Sequence, residues 1–222
     1  MRRSNGLVLI IVASVMLAGC HLGGDRQQSI QRWSGLLSDL RYQWDAAPGI
    51  DVEKGVAVVV RAYLESWFLA QSMGSLDYAY PGFDRAVQGS DHDTNIRPNV
   101  NYSLTKALIG NARHHILSLV PGNDGVVGTV CNYDYFVATE VGDGKYESVA
   151  RRPDSRPQGI HVERIVLAAG GNRSEHLPPQ AGPSPAASQD VFGSWRITGH
   201  LFVTGGSEFR SQWPTFDDDL AK

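Results

Sequence analysis

Cys20 and Cys131 are the two thiols of this 222-residue chain, and a thiolate can be acylated, oxidised or alkylated. Cys131 lies in an alternating apolar stretch beside Asn132 and Asp134, with no cation to activate it. It is expected to be a buried apolar filler. Cys20 sits in a separate segment near the start, so no disulfide is expected within the folded part.

Imidazole, carboxylate and phenol groups supply the other chemistry. The chain holds seven histidines, among them His92 in Asp91-His92-Asp93 and His114, His115, His161 and His200 at or near expected strands. None is spaced as in H-E-x-x-H, and strand ends and solvated loops account for them, so neither a metal nor a cofactor is expected. Tyr133 and Tyr135 share one face of their strand and Asp134 points the other way, because side chains alternate. A general base must lie within hydrogen-bond reach of its proton, and none is evident here. No G-x-S-x-G elbow or phosphate-cradling glycine loop occurs. No catalytic residue is assigned, and no enzymatic activity is expected.

Arg2 and Arg3 precede an uncharged apolar run, Leu7 to Leu17, which is the layout of an export signal and short of the roughly 20 residues of a membrane-crossing helix. Leu17-Ala18-Gly19-Cys20 resembles the lipobox of bacterial lipoproteins, in which the cysteine sulfur receives a diacylglyceryl group and the signal is cleaved just before it. The resemblance implies lipidation at Cys20, attachment to the cell membrane on its extracytoplasmic face, and residues 1–19 as a signal peptide. Residues 20–29 form a polar tether. Twenty basic against 23 acidic residues give a net charge of −3. Without excess positive charge to neutralise phosphates, nucleic acid is not expected as a partner. The two glycosylation sequons, at Asn101 and Asn172, are discounted on the bacterial lipobox.

A single domain is expected over residues 30–213. Ile30, Trp33, Leu36, Leu37, Leu40 and Trp44 recur at spacings of three and four, predicting an amphipathic helix ended by Pro48-Gly49. Val56, Val59, Val60, Tyr63, Leu64 and Trp67 predict a second helix from Val56 to Met73. The period then becomes two. Strands are predicted near His114 to Val120, Val126 to Glu140, His161 to Ala169 and Ser194 to Thr204, with turns at Pro121 to Gly125 and Gly142 to Gly144. In the last strand, plain alternation places Trp195, Ile197, Gly199, Leu201 and Val203 on the covered face and His200 on the other. Residues 170–190 are rich in glycine, proline and small polar side chains and predict a flexible loop. The acidic tail, residues 214–222, is expected to fray.

This order predicts an α+β fold, N-terminal helices packed on one face of a curved antiparallel sheet. It resembles the nuclear-transport-factor or SnoaL-like cone, and Gly193-Ser194-Trp195-Arg196-Ile197 looks like that group's late strand. A second resemblance, to a family of uncharacterised mycobacterial lipoproteins and exported proteins, rests on Gln43 to Asp51, Val60 to Ser66, Tyr80-Pro81-Gly82-Phe83, Asp143-Gly144-Lys145-Tyr146 and Asp190 to Trp195. It implies an envelope protein and brings no catalytic residues. The cone implies a pocket between helix and sheet, with Tyr63, Trp67, Tyr133, Tyr135 and Trp195 as its expected lining. Three function classes follow: binding of an apolar envelope molecule, an interaction or scaffold domain for an envelope protein, and a small-molecule enzyme.

Overall fold

The computed structural model describes residues 32–88, 95–151, 159–170, 189–202 and 213–222. Residues 1–31, with the expected signal and Cys20, and most of the loop expected over residues 170–190 lie outside the described residues. The chain is an α+β protein with a curved antiparallel half-barrel sheet and few helices.

The first predicted helix is not formed. After a short 3-10 turn at Gly35–Leu37, residues Leu40–Ala46 make strand β1. The spacing of three and four is outweighed by a period of two inside it: Leu40, Tyr42 and Trp44 are buried, while Arg41, Gln43 and Asp45 between them are exposed. Aromatic residues in alternation fit a pleated half-buried surface better than a helix. β1 runs parallel to β2 (Leu108–Pro121), the one parallel pairing among the described strands.

Helix α1 spans Val56–Met73, as its apolar spacing predicts. It is buried nearly all round, including Arg61 and Glu65. The Glu65 carboxylate accepts hydrogen bonds from Trp44 Nε1, at 2.7 Å, and from the Tyr80 hydroxyl. A buried charge is tolerated only when paired in this way. The helix ends on Gly74 in the left-handed region (φ 69°), with the Ser75 N–H returning to the Ala70 carbonyl. A short helix α2 follows at Phe83–Ala86.

The remaining strands are β3 (Gly125–Tyr133), β4 (Val137–Gly142), β5 (Lys145–Ser148), β6 (Ile160–Ala169) and β7 (Trp195–Phe202). β3 and β4 both pair with β2, separated by the three residues Asp134 to Phe136. They occupy the place predicted for one long strand. β6 pairs β3, β5 pairs β4 and β7 pairs β6. α1 approaches closely at Gly128, where an added Cβ would sit 3.3 Å from Val60 Cγ2. The main core lies between α1 and this concave face.

Both faces of the sheet are covered, where covering of one was expected. Trp213 and helix α3 (Phe216–Leu220) pack on the convex face against Cys131, Val162, Leu117 and Leu201. The tail therefore does not fray. Asp219 ties it together, accepting from Trp213 Nε1, Thr215 Oγ1 and Lys222 Nζ at 2.8 to 2.9 Å. Cys131 is buried in this cluster.

Candidate functional site

The polar residues of the concave face line up because the strands are in register. Trp44 of β1 is paired with His114 of β2, His114 with Asn132 of β3, and Asn132 with His161 of β6. Two residues further along their strands, Asp134 and Glu163 point to the same side. A row of hydrogen-bonding groups thus crosses a surface that is otherwise apolar.

A cavity of about 380 Å³ opens over this row. Leu64, Trp67 and Phe68 of α1 form its roof, Leu40, Tyr42, Leu108 and Ala112 its apolar wall, and His114, Asn132, Asp134, His161 and Glu163 its polar end. Trp67 and Phe68 are placed by the same helical turn whose buried neighbours fix α1 to the sheet. Trp67 Nε1 donates to the Asn95 carbonyl at 3.0 Å, which orients its ring.

The polar end is a connected network. Asn132 Nδ2 donates to Glu163 Oε1 at 2.8 Å, so its amide oxygen is left as acceptor for His114 Nδ1. His200 Nε2 donates to Glu163 Oε2 at 2.9 Å, and the Tyr63 hydroxyl lies 2.9 Å from His200 Nδ1. His161 stands between two carboxylates, 3.5 Å from Asp134 Oδ2 and 3.3 Å from Glu163 Oε1. The side chains of His161 and Asp134 are about a third exposed, 34% and 31%, so a molecule in the cavity can reach them.

Burial and pairing divide the protonation states. Burial pushes the His114 pKa down to about 4, against the opposing bond to Asn132, so its imidazole is neutral near pH 7. Burial raises the Asp134 pKa even though His161 lies beside it. For His161, burial works against the charged form, but the hydrogen bond and charge of Glu163 and the charge of Asp134 outweigh it, and its pKa is raised. Burial likewise opposes ionisation of Glu163, and the bonds from His161 and His200 overcome it, holding the carboxyl well below its usual range.

At the polar end of the cavity one group is unsatisfied: His114 Nε2 is buried without a hydrogen-bond partner, in a side chain 6% exposed whose ring centroid lies 4.4 Å from that of Tyr42 and 4.6 Å from that of Trp44. With Nδ1 carrying the proton toward Asn132, Nε2 presents a bare lone pair. A buried polar atom of this kind is rare enough in folded proteins to call for a ligand or water. Among the described residues, no group of three or more histidine, cysteine or acidic side chains is placed to hold a metal ion.

Of the five aromatics expected around the cavity, Trp67 lines it and four lie elsewhere. Tyr63 is fully buried one turn earlier on α1, stacked 6.0 Å from Phe83 and bonded to His200. Trp195 is packed in the main core. Tyr133 and Tyr135 do share a face, with ring centroids 6.1 Å apart, but it is the convex one, beside Asp45, Arg113, His115 and Lys222. Alternation then sends Asp134 inward, and the break between β3 and β4 follows at once, a place where irregular strands commonly re-aim side chains.

His114, Asn132, Asp134, His161 and Glu163 were readable as polar residues at inward positions of apolar strands: they keep the frame of the buried Ile116, Val130 and Ile165. His200 was not. The pairing of β6 with β7 shifts between Val166 and Leu167, which face Gly199 and Ile197, so Thr198 is an extra residue. The shift reverses the alternation beyond it and brings His200 inward and Leu201 outward. The chain matches no known protein family, curated protein or solved structure. Functional argument therefore rests on the geometry.

Proposed function

We propose that this chain is a lipid-anchored protein of the bacterial envelope whose domain holds a small amphipathic molecule in the cavity under α1. The anchor is lipid on Cys20, as the residues Leu17 to Cys20 imply. The observation that carries the binding function is the cavity itself: an apolar wall leading to a buried, unpartnered His114 Nε2. Its volume of about 380 Å³ falls in the range of small-molecule sites, which pair apolar lining with a few placed polar groups. A helix over a curved sheet resembles the cone arrangement, and a cavity between the two is what that resemblance implies. The domain binds without turning its ligand over.

The test is native mass spectrometry of the full chain released from its membrane, followed by organic extraction. A copurifying small molecule that is lost on replacing Ala112 by Trp, at the cavity wall, supports the reading. Retention of the molecule by that variant places binding elsewhere.

A second reading is favoured by the inward carboxylate. Asp134 and His161, 3.5 Å apart and reachable from the cavity, are an acid and base pair in reach of a bound molecule. Conversion of a copurifying ligand by the wild-type chain but not by Asp134→Asn would establish it.

A further inference from the structure

We propose that the polar end of the cavity selects a molecule whose head group donates hydrogen bonds and is not an anion, an alkyl amine before an alcohol. The inference rests on the cavity being a binding site, and it comes from asking which lone pairs and protons at that end are already used. Asn132 uses both ends of its amide, on His114 and on Glu163. Glu163 uses both oxygens, one on Asn132 and one on His200. The nitrogens of His161 face the two carboxylates. Trp67 has given its N–H to Asn95.

Two acceptors are left over. One is the lone pair on His114 Nε2, whose tautomer is dictated by Asn132 rather than free to change. The other is Asp134, whose oxygens receive no hydrogen bond from the described residues and meet only His161 at 3.5 Å. Tyr42, in the wall, has a hydroxyl that serves either way and does not discriminate. A carboxylate or phosphate head would bring further lone pairs to face these two, whereas an ammonium or hydroxyl brings protons. Glu163 is matched by His161 and His200, whereas the Asp134 carboxylate faces the cavity with His161 alone beside it, which favours the ammonium.

The experiment is titration calorimetry of the full chain in nanodiscs of uncharged phosphatidylcholine, corrected with empty nanodiscs. The probes are 1-hexylamine, 1-hexanol, hexyl methyl ether and hexanoate, which share one tail and differ in donors and charge. Expected is binding of hexylamine at least about tenfold tighter than hexanoate or the ether, the factor that one charge-assisted hydrogen bond supplies. Hexanol equal to hexylamine, both above the others, supports donor selection and overturns the preference for an amine. Hexanoate or the ether binding as tightly as the amine overturns the inference while leaving the cavity a binding site. No binding by any probe overturns the binding site itself. Asp134→Asn should weaken hexylamine and leave the ether unchanged, a readout that loss of fold would not give.

Discussion

His114 Nδ1 bonds to the Asn132 amide oxygen across the β2–β3 pair, and that bond leaves His114 Nε2 buried without a partner in a side chain that lines the cavity. Asn132 is itself oriented by Glu163, which is held by His200 and so by Tyr63 of α1. The state of one nitrogen is thus set by a chain of bonds from helix to sheet.

His114→Phe fills the same aromatic slot against Tyr42 and Trp44 but exchanges one unsatisfied buried acceptor, His114 Nε2, for another, the Asn132 amide oxygen. It is expected to change stability by no more than about 1 kcal/mol and to weaken binding of cavity probes. Urea unfolding with a parallel probe titration checks this. Greater destabilisation together with unchanged binding is the opposite outcome.

Acid should find His114 before it finds Glu163. A histidine whose pKa falls on folding from 6.5 to about 4 takes up its proton first in the unfolded chain, so stability declines as pH falls from 6.5 toward 4. The full loss is about 3 kcal/mol, at 1.36 kcal/mol for each pKa unit. Glu163 has a lowered pKa, so its contribution is complete above its unfolded value near 4.5 and is lost only below that. His161 has a raised pKa, so its contribution is complete below 6.5 and fades as pH rises through the folded value. Between pH 6.5 and 4.5, His114 is the one of these three whose contribution changes, and Asp134, with its raised pKa, works in the opposite sense as acid relieves its penalty. Unfolding free energies across that window should fall with acid less steeply for His114→Phe than for the wild type.

The elements were legible wherever one period ruled a whole segment. Val56 to Met73 reads as a helix and is one, and β2, β3, β6 and β7 overlap the segments where alternation places them, whereas the strand expected over Val126 to Glu140 is broken into β3 and β4, and β5 has no counterpart in the sequence reading. Leu40 to Ala46 misled because its apolar residues satisfy both periods at once, and only pairing with β2 decides between them. The fate of the tail depends on Cys131, Val162 and Leu201 being left uncovered on the convex face, which no local pattern reveals. The inward placement of His200 depends on a single extra residue, Thr198, for which the neighbouring Gly199 inside the strand is the one sequence hint. The polar row was visible strand by strand but not as a row, because register is a property of pairs.

Trp213 is expected to behave as a core residue despite lying near the chain end. It is 2% exposed and packs against Phe216 with ring centroids 5.3 Å apart. Trp213→Ala should cost about 3–5 kcal/mol, as for a buried aromatic, and should open Cys131 to thiol reagents. Thermal unfolding and the rate of labelling by a disulfide reagent measure both effects. An unchanged melting temperature would mean that the tail is ornamental to the fold.

Cys20→Ala is expected to abolish lipidation and leave the unprocessed precursor, since acyl transfer and cleavage both depend on that sulfur. Mass spectrometry of the membrane-extracted chain provides the check. A wild-type terminus away from residue 20, or an unmodified Cys20, contradicts the anchor.

The most direct test of the cavity as a binding site is ¹⁵N spectroscopy of the histidine imidazoles, with and without 1-hexylamine. The account predicts that His114 in the free chain is neutral at pH 7, protonated on Nδ1 and bare on Nε2, and that the amine moves the Nε2 resonance while leaving Nδ1 in place. A His114 protonated on Nε2, or an Nε2 resonance indifferent to saturating amine, would contradict it.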